Sequence, residues 1–314
     1  MMGKSFPVSR RRFLKNTGLL TATAALPGWI VREAAAQQSP PPSVSPNDRI
    51  QIGLVGCGGQ GQGDARNAER LGAKVVAICD VDAERLASAA SRFPDAKRYA
   101  DFRELVRQRD VDAVICGTVD HWHVLVSMAA MKAGKDVYCE KPLTLTIDEG
   151  KRLVDVQKQT GRVLQTGTQQ RSHPHFGEAK ERFVDTGKLG RITMVRTIWN
   201  GNSAYRNMAP PPGMEQKPAG MDWDVCQGHL KRVPWNPKRY FNHYVYWDYS
   251  TNAQMGGLFV HMIDVVHWYM KVKQPLAAVC MGTIALPKED RDTADNINAV
   301  LHYPNNLLVT FEAN

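Results

Sequence analysis

The residues of this 314-residue chain with the clearest chemical potential begin at Gly56, Gly58 and Gly61, which form a G-x-G-x-x-G pattern. The pattern follows the apolar run Ile52-Gly53-Leu54-Val55 and leads into Asp64 to Leu71, which has helical character. Strand, glycine turn and helix in that order aim backbone amides and a helix amino terminus at a pyrophosphate. Gly56 permits the tight turn, Gly58 lets the backbone approach the phosphates, and Gly61 brings the helix close to the sheet. Gly59 and Gln60 complete the turn. A second buried strand, Lys74 to Cys79, ends in Asp80. A carboxylate there is placed to accept from the adenosine ribose hydroxyls and to repel a 2′-phosphate, which favours NAD over NADP. A structural glycine turn beside a capping Asp80 is the alternative.

Two polar clusters follow later apolar strands. Asp120-His121-Trp122-His123 follows Ala113 to Cys116, and Glu140-Lys141-Pro142 follows Asp136 to Cys139. Ligands of doubly wound sheets lie at such carboxyl ends, so Asp120, His123, Glu140 and Lys141 are candidate cofactor contacts. A lysine beside a cationic ring and an apolar wall has its ammonium form disfavoured, making Lys141 a proton carrier or hydroxyl orienter rather than a surface lysine. His121 and His123 are spaced like a metal pair, but a tetrahedral shell has no evident further ligands, so no metal is expected. Trp122 suits the cofactor pocket or the core equally. Gln254 to Asp264 opens a helix reaching about Met270, on which His261 and Asp264 lie about 60° apart, on one face, with His267 well away. His261 and Asp264 can cooperate there; a structural helix histidine or a metal pair is the rival reading.

Helical stretches at Ala83 to Arg92, Asp101 to Gln108 and Val124 to Ala133 alternate with these strands, which predicts an α/β fold: a Rossmann, doubly wound parallel sheet over 49–165. Arg191 to Asn200, Ala277 to Leu286, Asn296 to Tyr303 and Leu307 to Ala313 read as strands of a mostly antiparallel open sheet in an α+β domain over 166–314. The last of these would be an exposed edge if unpaired. Gly201 to Ser250 is irregular but holds Tyr205, Arg206, Trp223, Asp224, Trp235, Tyr240, Trp247 and Tyr249. Aromatic faces flanked by hydrogen-bonding groups suit carbohydrate rings, and packing within a loop-rich core is the competing role.

At the amino end, Ser9-Arg10-Arg11-Arg12-Phe13-Leu14-Lys15 precedes a mildly apolar stretch and Ala34-Ala35-Ala36. Residues 1–36 read as an export signal too short to span a bilayer, so no stable membrane insertion is expected after cleavage. Residues 37–48, rich in Pro and Ser, read as a linker. Lys4, Arg10, Arg11, Arg12, Lys15 and Arg32 against Glu33 place +5 of the net +9 in the signal and leave +4 elsewhere, with no basic stripe. Nucleic acid is therefore not an expected partner. Composition, with 43% hydrophobic and 23% charged residues, excludes a disordered polymer or a membrane bundle. Six cysteines without a C-x-x-C pair read as thiols.

The glycine turn with Asp80, the stretch Thr118 to His123, and Glu140-Lys141-Pro142-Leu143-Thr144 resemble the Gfo/Idh/MocA oxidoreductase family over roughly Arg49 to Asn314. The run Leu164 to Arg171 is similar to that family's crossing into its second domain, and the amino-terminal pattern resembles a twin-arginine signal, which exports folded proteins. The resemblance implies bound NAD, with Gln169 added to the cofactor contacts. It implies a sugar or glycoside substrate met by Lys141 and by His261 as the base, with Asp264 as its partner, and a homo-oligomer formed on the open sheet; Arg171 in the crossing and Tyr205 and Trp247 in the irregular stretch are further candidate substrate contacts. The chain departs from the family's D-x-x-x-H pattern at Gly257, and it stops where relatives run on. An exported protein would carry its NAD tightly bound through the export machinery to the periplasm or cell envelope and regenerate it in place. That leaves an oxidoreductase with a second acceptor, a redox-neutral NAD-dependent glycosidase, or a non-catalytic sugar or nucleotide binder.

Overall fold

The computed structural model describes residues 48–200, 210–285 and 291–313. The export signal and almost all of the expected linker lie outside them, as does Tyr205. The first half alternates strand and helix: β1 (Gln51–Val55), α1 (Gly59–Arg70), β2 (Lys74–Cys79), α2 (Ala83–Arg92), β3 (Lys97–Tyr99), α3 (Phe102–Val106), β4 (Ala113–Cys116), α4 (His123–Lys132), β5 (Asp136–Cys139), α5 (Ile147–Thr160) and β6 (Leu164–Thr166). The strands pair in parallel in the order β3-β2-β1-β4-β5-β6. Helices on both faces make the central strands continuously apolar. Neighbours in β1 serve opposite sides, Leu54 packing with Ile78 and Ile115, Val55 with Cys79, Val114 and Cys116.

Local chemistry sets the helix starts. Asp82 caps α2 by accepting from the Glu84 and Arg85 amides, Asp101 caps α3, and Thr146 and Glu149 form a capping box on α5, which ends on left-handed Gly161. Helix α1 differs, because Gly58 at its cap supplies no side-chain acceptor and its first-turn amides face the crevice above β1 uncapped.

Residues Arg171–Gly190 form a unit of their own within the described chain. It holds α6 (Pro174–Ala179) and a π-helical turn, Lys180–Val184, tied by Lys180 to Asp185 at 2.6 Å. Arg171, an expected sugar contact, belongs to this unit.

The remaining elements are β7 (Met194–Trp199), α7 (Trp223–Gln227), α8 (Pro237–Phe241), α9 (Val260–Met270), β8 (Ala277–Thr283), β9 (Asn296–Tyr303) and β10 (Leu307–Ala313). Their sheet has the order β7-β10-β9-β8, parallel between β7 and β10 and antiparallel elsewhere. The last strand is therefore paired on both sides and central, and β7 and β8 are the edges among the described residues. Ile297, Ala299, Phe311 and Ala313 pack with Phe259 just before α9, and Tyr303, Leu307 and Val309 pack with Val266 of that helix. The segment expected to open α9 as a regular helix is instead π-helical over Asn252–Phe259.

The irregular stretch before it is cohesive. Met221, Trp223, Cys226, Tyr240, Val245, Tyr246 and Tyr249 form a buried cluster. Most of its aromatic residues are core and are not free to serve as sugar platforms.

Candidate active site

A cleft of about 700 Å³ opens at the carboxyl ends of the parallel strands, lined by the glycine turn, Asp80, Asp120, Glu140 and Lys141, with Asp224, Tyr240, His243 and Tyr244 from the irregular stretch. The glycine turn is built by close approach. Gly56 has φ +91°, and a Cβ on it would lie 2.5 Å from the Gly117 carbonyl; one on Gly61 would lie 2.2 Å from the Gly56 carbonyl oxygen. No side chain fits at either position. Gly117, at 2.7 Å from the Gly61 Cα by the same measure, completes the interlock and escaped the sequence reading because it stands outside the motif. Gly58 and Gly59 meet no such barrier and leave space toward the cleft.

Asp80 closes the turn from the neighbouring strand. Its Oδ2 accepts from the Cys57 amide at 2.7 Å and its Oδ1 from the Asp82 amide at 2.9 Å. Burial raises its proton affinity, opposed by those two amides and by Arg85. Asp80 thus reaches the cleft while also fixing the glycine turn. Arg85, which sequence reasoning missed, lines the cleft beside it and stacks 4.5 Å over the Tyr240 ring. Asp82 accepts from the Tyr240 hydroxyl, so the start of α2 is bound to the irregular stretch.

The Asp120 to His123 stretch does other work than its residue types suggested. Asp120 is buried at the cleft wall, accepting from Ser250 Oγ at 2.7 Å and facing His243 Nε2 at 3.5 Å. Burial alone would raise its proton affinity, yet His243 and Ser250 hold it below the ordinary carboxylate value. His121 Nε2–H and Trp122 Nε1–H both donate to the Cys226 carbonyl at 2.9 Å. Burial pushes His121 down to about 4, so its ring is neutral. His123 is not a cofactor contact: it does not line the cleft, and its Nδ1 and Nε2 face the Pro142 and Thr118 carbonyls at 2.7 and 3.1 Å. Burial opposes its protonation, but the Cys116 and Asp120 charges and the two carbonyls raise its proton affinity. Cys116, His123 and Cys139 bring their ligand atoms within 4.8 Å of one another, although both nitrogens of His123 are already turned to carbonyls.

Lys141 lines the cleft after a cis peptide to Pro142, next to buried Glu140. His261 is 4% exposed and is pushed down to about 4 by burial and then by the Lys141 charge, with Asp264 opposing. Lys141 is thus near enough for its charge to act on His261, although neither His261 nor Asp264 is among the residues that line the cleft. Asp264 acts on His261 through its charge and does not hold the ring: His261 Nδ1 has no hydrogen-bond partner among the described residues. The structure does not bring two other expected contacts to the cleft: Gln169 is exposed and does not line it, and Trp247 is 55% exposed and lies outside it.

Residues 50–168 match the Gfo/Idh/MocA model, an oxidoreductase family with an NAD-binding Rossmann fold. Inositol 2-dehydrogenase 2 of Saccharopolyspora erythraea is 35% identical over 168 residues, 52% of this chain and 48% of the relative. Inositol 2-dehydrogenase of Burkholderia multivorans is 35% identical over 164 residues, 51% and 47% of the two chains. This chain spans about half the length of the curated relatives it matches. Among solved structures, myo-inositol 2-dehydrogenase from Lactobacillus plantarum is 21% identical with a TM-score of 0.66, covering 84% of this chain and 69% of that one. Levoglucosan dehydrogenase, solved with NADH and levoglucosan, is 22% identical with a TM-score of 0.64, covering 84% and 66%. These likenesses show a shared fold.

Proposed function

We propose that the chain binds NAD in the cleft and transfers hydride between it and a hydroxyl-bearing carbon of a polyol or sugar. The observation that carries this reading is Lys141 in the cleft wall, its charge acting on a buried, neutral His261. The glycine cradle has no room for a Cβ at Gly56 or Gly61, the first turn of α1 carries no side-chain cap, and Asp80 stands at the ribose end; together these fit a dinucleotide. When bound, NAD supplies the hydride acceptor. Lys141 Nζ donates to the substrate hydroxyl oxygen and orients it. His261 takes the hydroxyl proton at Nε2, Nδ1 being enclosed by protein. Asp264 favours the imidazolium that results.

Inositol 2-dehydrogenases and levoglucosan dehydrogenase among the similar proteins support a polyhydroxylated substrate. The twin-arginine pattern at Ser9 to Lys15 supports export of the folded chain with its cofactor tightly bound, and the Asp80 carboxylate supports NAD over NADP. The test is to incubate purified protein with myo-inositol, glucose and levoglucosan and follow reduced-nicotinamide absorbance, for wild type, Lys141→Ala and His261→Ala. Turnover that falls at least about a hundredfold in both variants is expected. Full activity in both would refute the assignments, and aglycone release from aryl glycosides without an acceptor would replace dehydrogenation with redox-neutral glycoside cleavage.

A further inference from the structure

One carboxyl pair near Lys141 has no part in the scheme above. Gln60 Nε2 donates to Asp64 Oδ1 at 3.0 Å and reaches Glu140 Oε1 at 3.4 Å, so a single side-chain amide from the first turn of α1 spans both carboxyls. The Asp64 and Glu140 carboxyls are themselves within hydrogen-bonding reach of each other. Asp64 Oδ2 is buried and receives no donor among the described residues. Glu140 is better supplied: the Tyr138 hydroxyl donates to Oε1 and the Lys141 amide to Oε2, each at 3.3 Å. Glu140 is also held in place, because a Cβ on Gly167 would stand 2.6 Å from its Oε1.

Two adjacent ionised carboxylates in a partly buried site repel each other and leave Oδ2 unsatisfied, whereas one proton between them removes both costs. The carboxyl with fewer donors keeps it. We propose that Asp64, behind the cleft wall, and Glu140, in it, share one proton held on Asp64, and that Asp64 is thereby a positioning residue governing how much negative charge faces Lys141. Burial, and then the charge of Glu140, push Asp64 up to about 7, against the pull of Gln60 and Lys141. The groups facing it are Gln60 on its own helix, Tyr138 on β5, and Glu140 and Lys141 just after that strand. The consequence for hydride transfer rests on the proposed function; the shared proton does not.

The experiment is an infrared titration of the full chain as purified, from about pH 5 to about pH 9, on wild type and Asp64→Asn. A protonated-carboxyl band that disappears with a midpoint near 7 in wild type and is missing from Asp64→Asn is expected. No such band in wild type, or the same band in the variant, overturns the proposal. Thermal stability gives a second reading. Unfolded Asp64 releases its proton near the ordinary aspartate value of 3.8 while the folded one keeps it to about 7, so wild type loses stability as pH rises through that window. Asp64→Asn does not titrate, and its melting temperature relative to wild type should rise across the same window; a flat difference counts against the shared proton. If turnover occurs, its kcat/KM profile should bend near neutral pH in wild type alone, and a bend persisting in Asp64→Asn defeats the positioning role. A protein that shows the band but oxidises no polyol keeps this inference and loses only the functional reading.

Discussion

Gly257 is the residue at which this site departs most visibly from the pattern it resembles, and the structure gives that departure a testable meaning. The position is buried, but a Cβ there would find its nearest neighbour, the Asn252 carbonyl oxygen, at 4.0 Å. Space for a side chain exists where the sequence has none. His261 works without a hydrogen-bonded carboxylate on Nδ1, and burial and Lys141 keep its proton affinity low. Gly257→Asp would set a carboxylate one turn before it. The expected outcome is an acid limb of kcat/KM that moves up from about 4, by roughly 1 on the pH scale. An acid limb that stays put in pH-rate measurements would mean that His261 is not the titrating base. The reverse change, a side chain added at Gly56 or Gly61, has no comparable room, which separates a chemically vacant glycine from a sterically required one.

At the scale of elements, the turn between β4 and α4 ties the irregular stretch to the parallel sheet. His121 and Trp122 share the Cys226 carbonyl, and Asp120 receives Ser250. His121 has a folded proton affinity well below its ordinary 6.5, so the unfolded chain binds the extra proton first as pH falls. Its contribution is intact above about 6.5 and is lost progressively toward 4, on the order of 3 kcal/mol in all. His121→Gln keeps a donor for the carbonyl but does not titrate, so calorimetry should show a smaller loss of melting temperature than wild type between pH 7 and 5. Equal losses would show that His121 is not buried as described. None of this was legible in the sequence, where two histidines two residues apart suggest ligands. Periodicity reveals strands, and it located β1, β2, β4, β5, β9 and β10 to within a residue. It does not reveal which carbonyl a histidine finds a hundred residues away. Helix α5 was missed for a different reason: its signal, Thr146 and Glu149 as a capping box with Gly161 at the far end, was present in the chain but lay outside the search for chemical residues. The three-residue strand β3 is too short to show any period.

For the whole molecule, the second sheet poses a burial problem that the first does not. Register places Met194, Ile198, Leu308, Val300, Val279 and Met281 on the face opposite α9. Met281 is 74% and Val279 60% exposed, and every residue of β8 is exposed. The parallel sheet covers both of its faces with helices, whereas among the described residues the packing of this one is on the face toward Phe259 and Val266. Exposed apolar residues interleaved with the polar His302, Asn298 and Thr310 on an open sheet make a surface on which a second copy can dock, since association removes the apolar groups from water without any new fold. The Arg196 to Glu312 pair, 3.3 Å apart on the same face, adds a polar element that can fix the register of such a contact. The expected result is sedimentation of the full chain as a homo-oligomer, converted to monomer by Val300→Lys with Leu308→Lys. Dinucleotide binding, measured by fluorescence, should survive the dissociation, because the cleft draws all its lining residues from 55–141 and 224–244, away from this face. A wild type that sediments as a monomer across the accessible concentration range would remove the oligomer and leave the exposed face for some other cover.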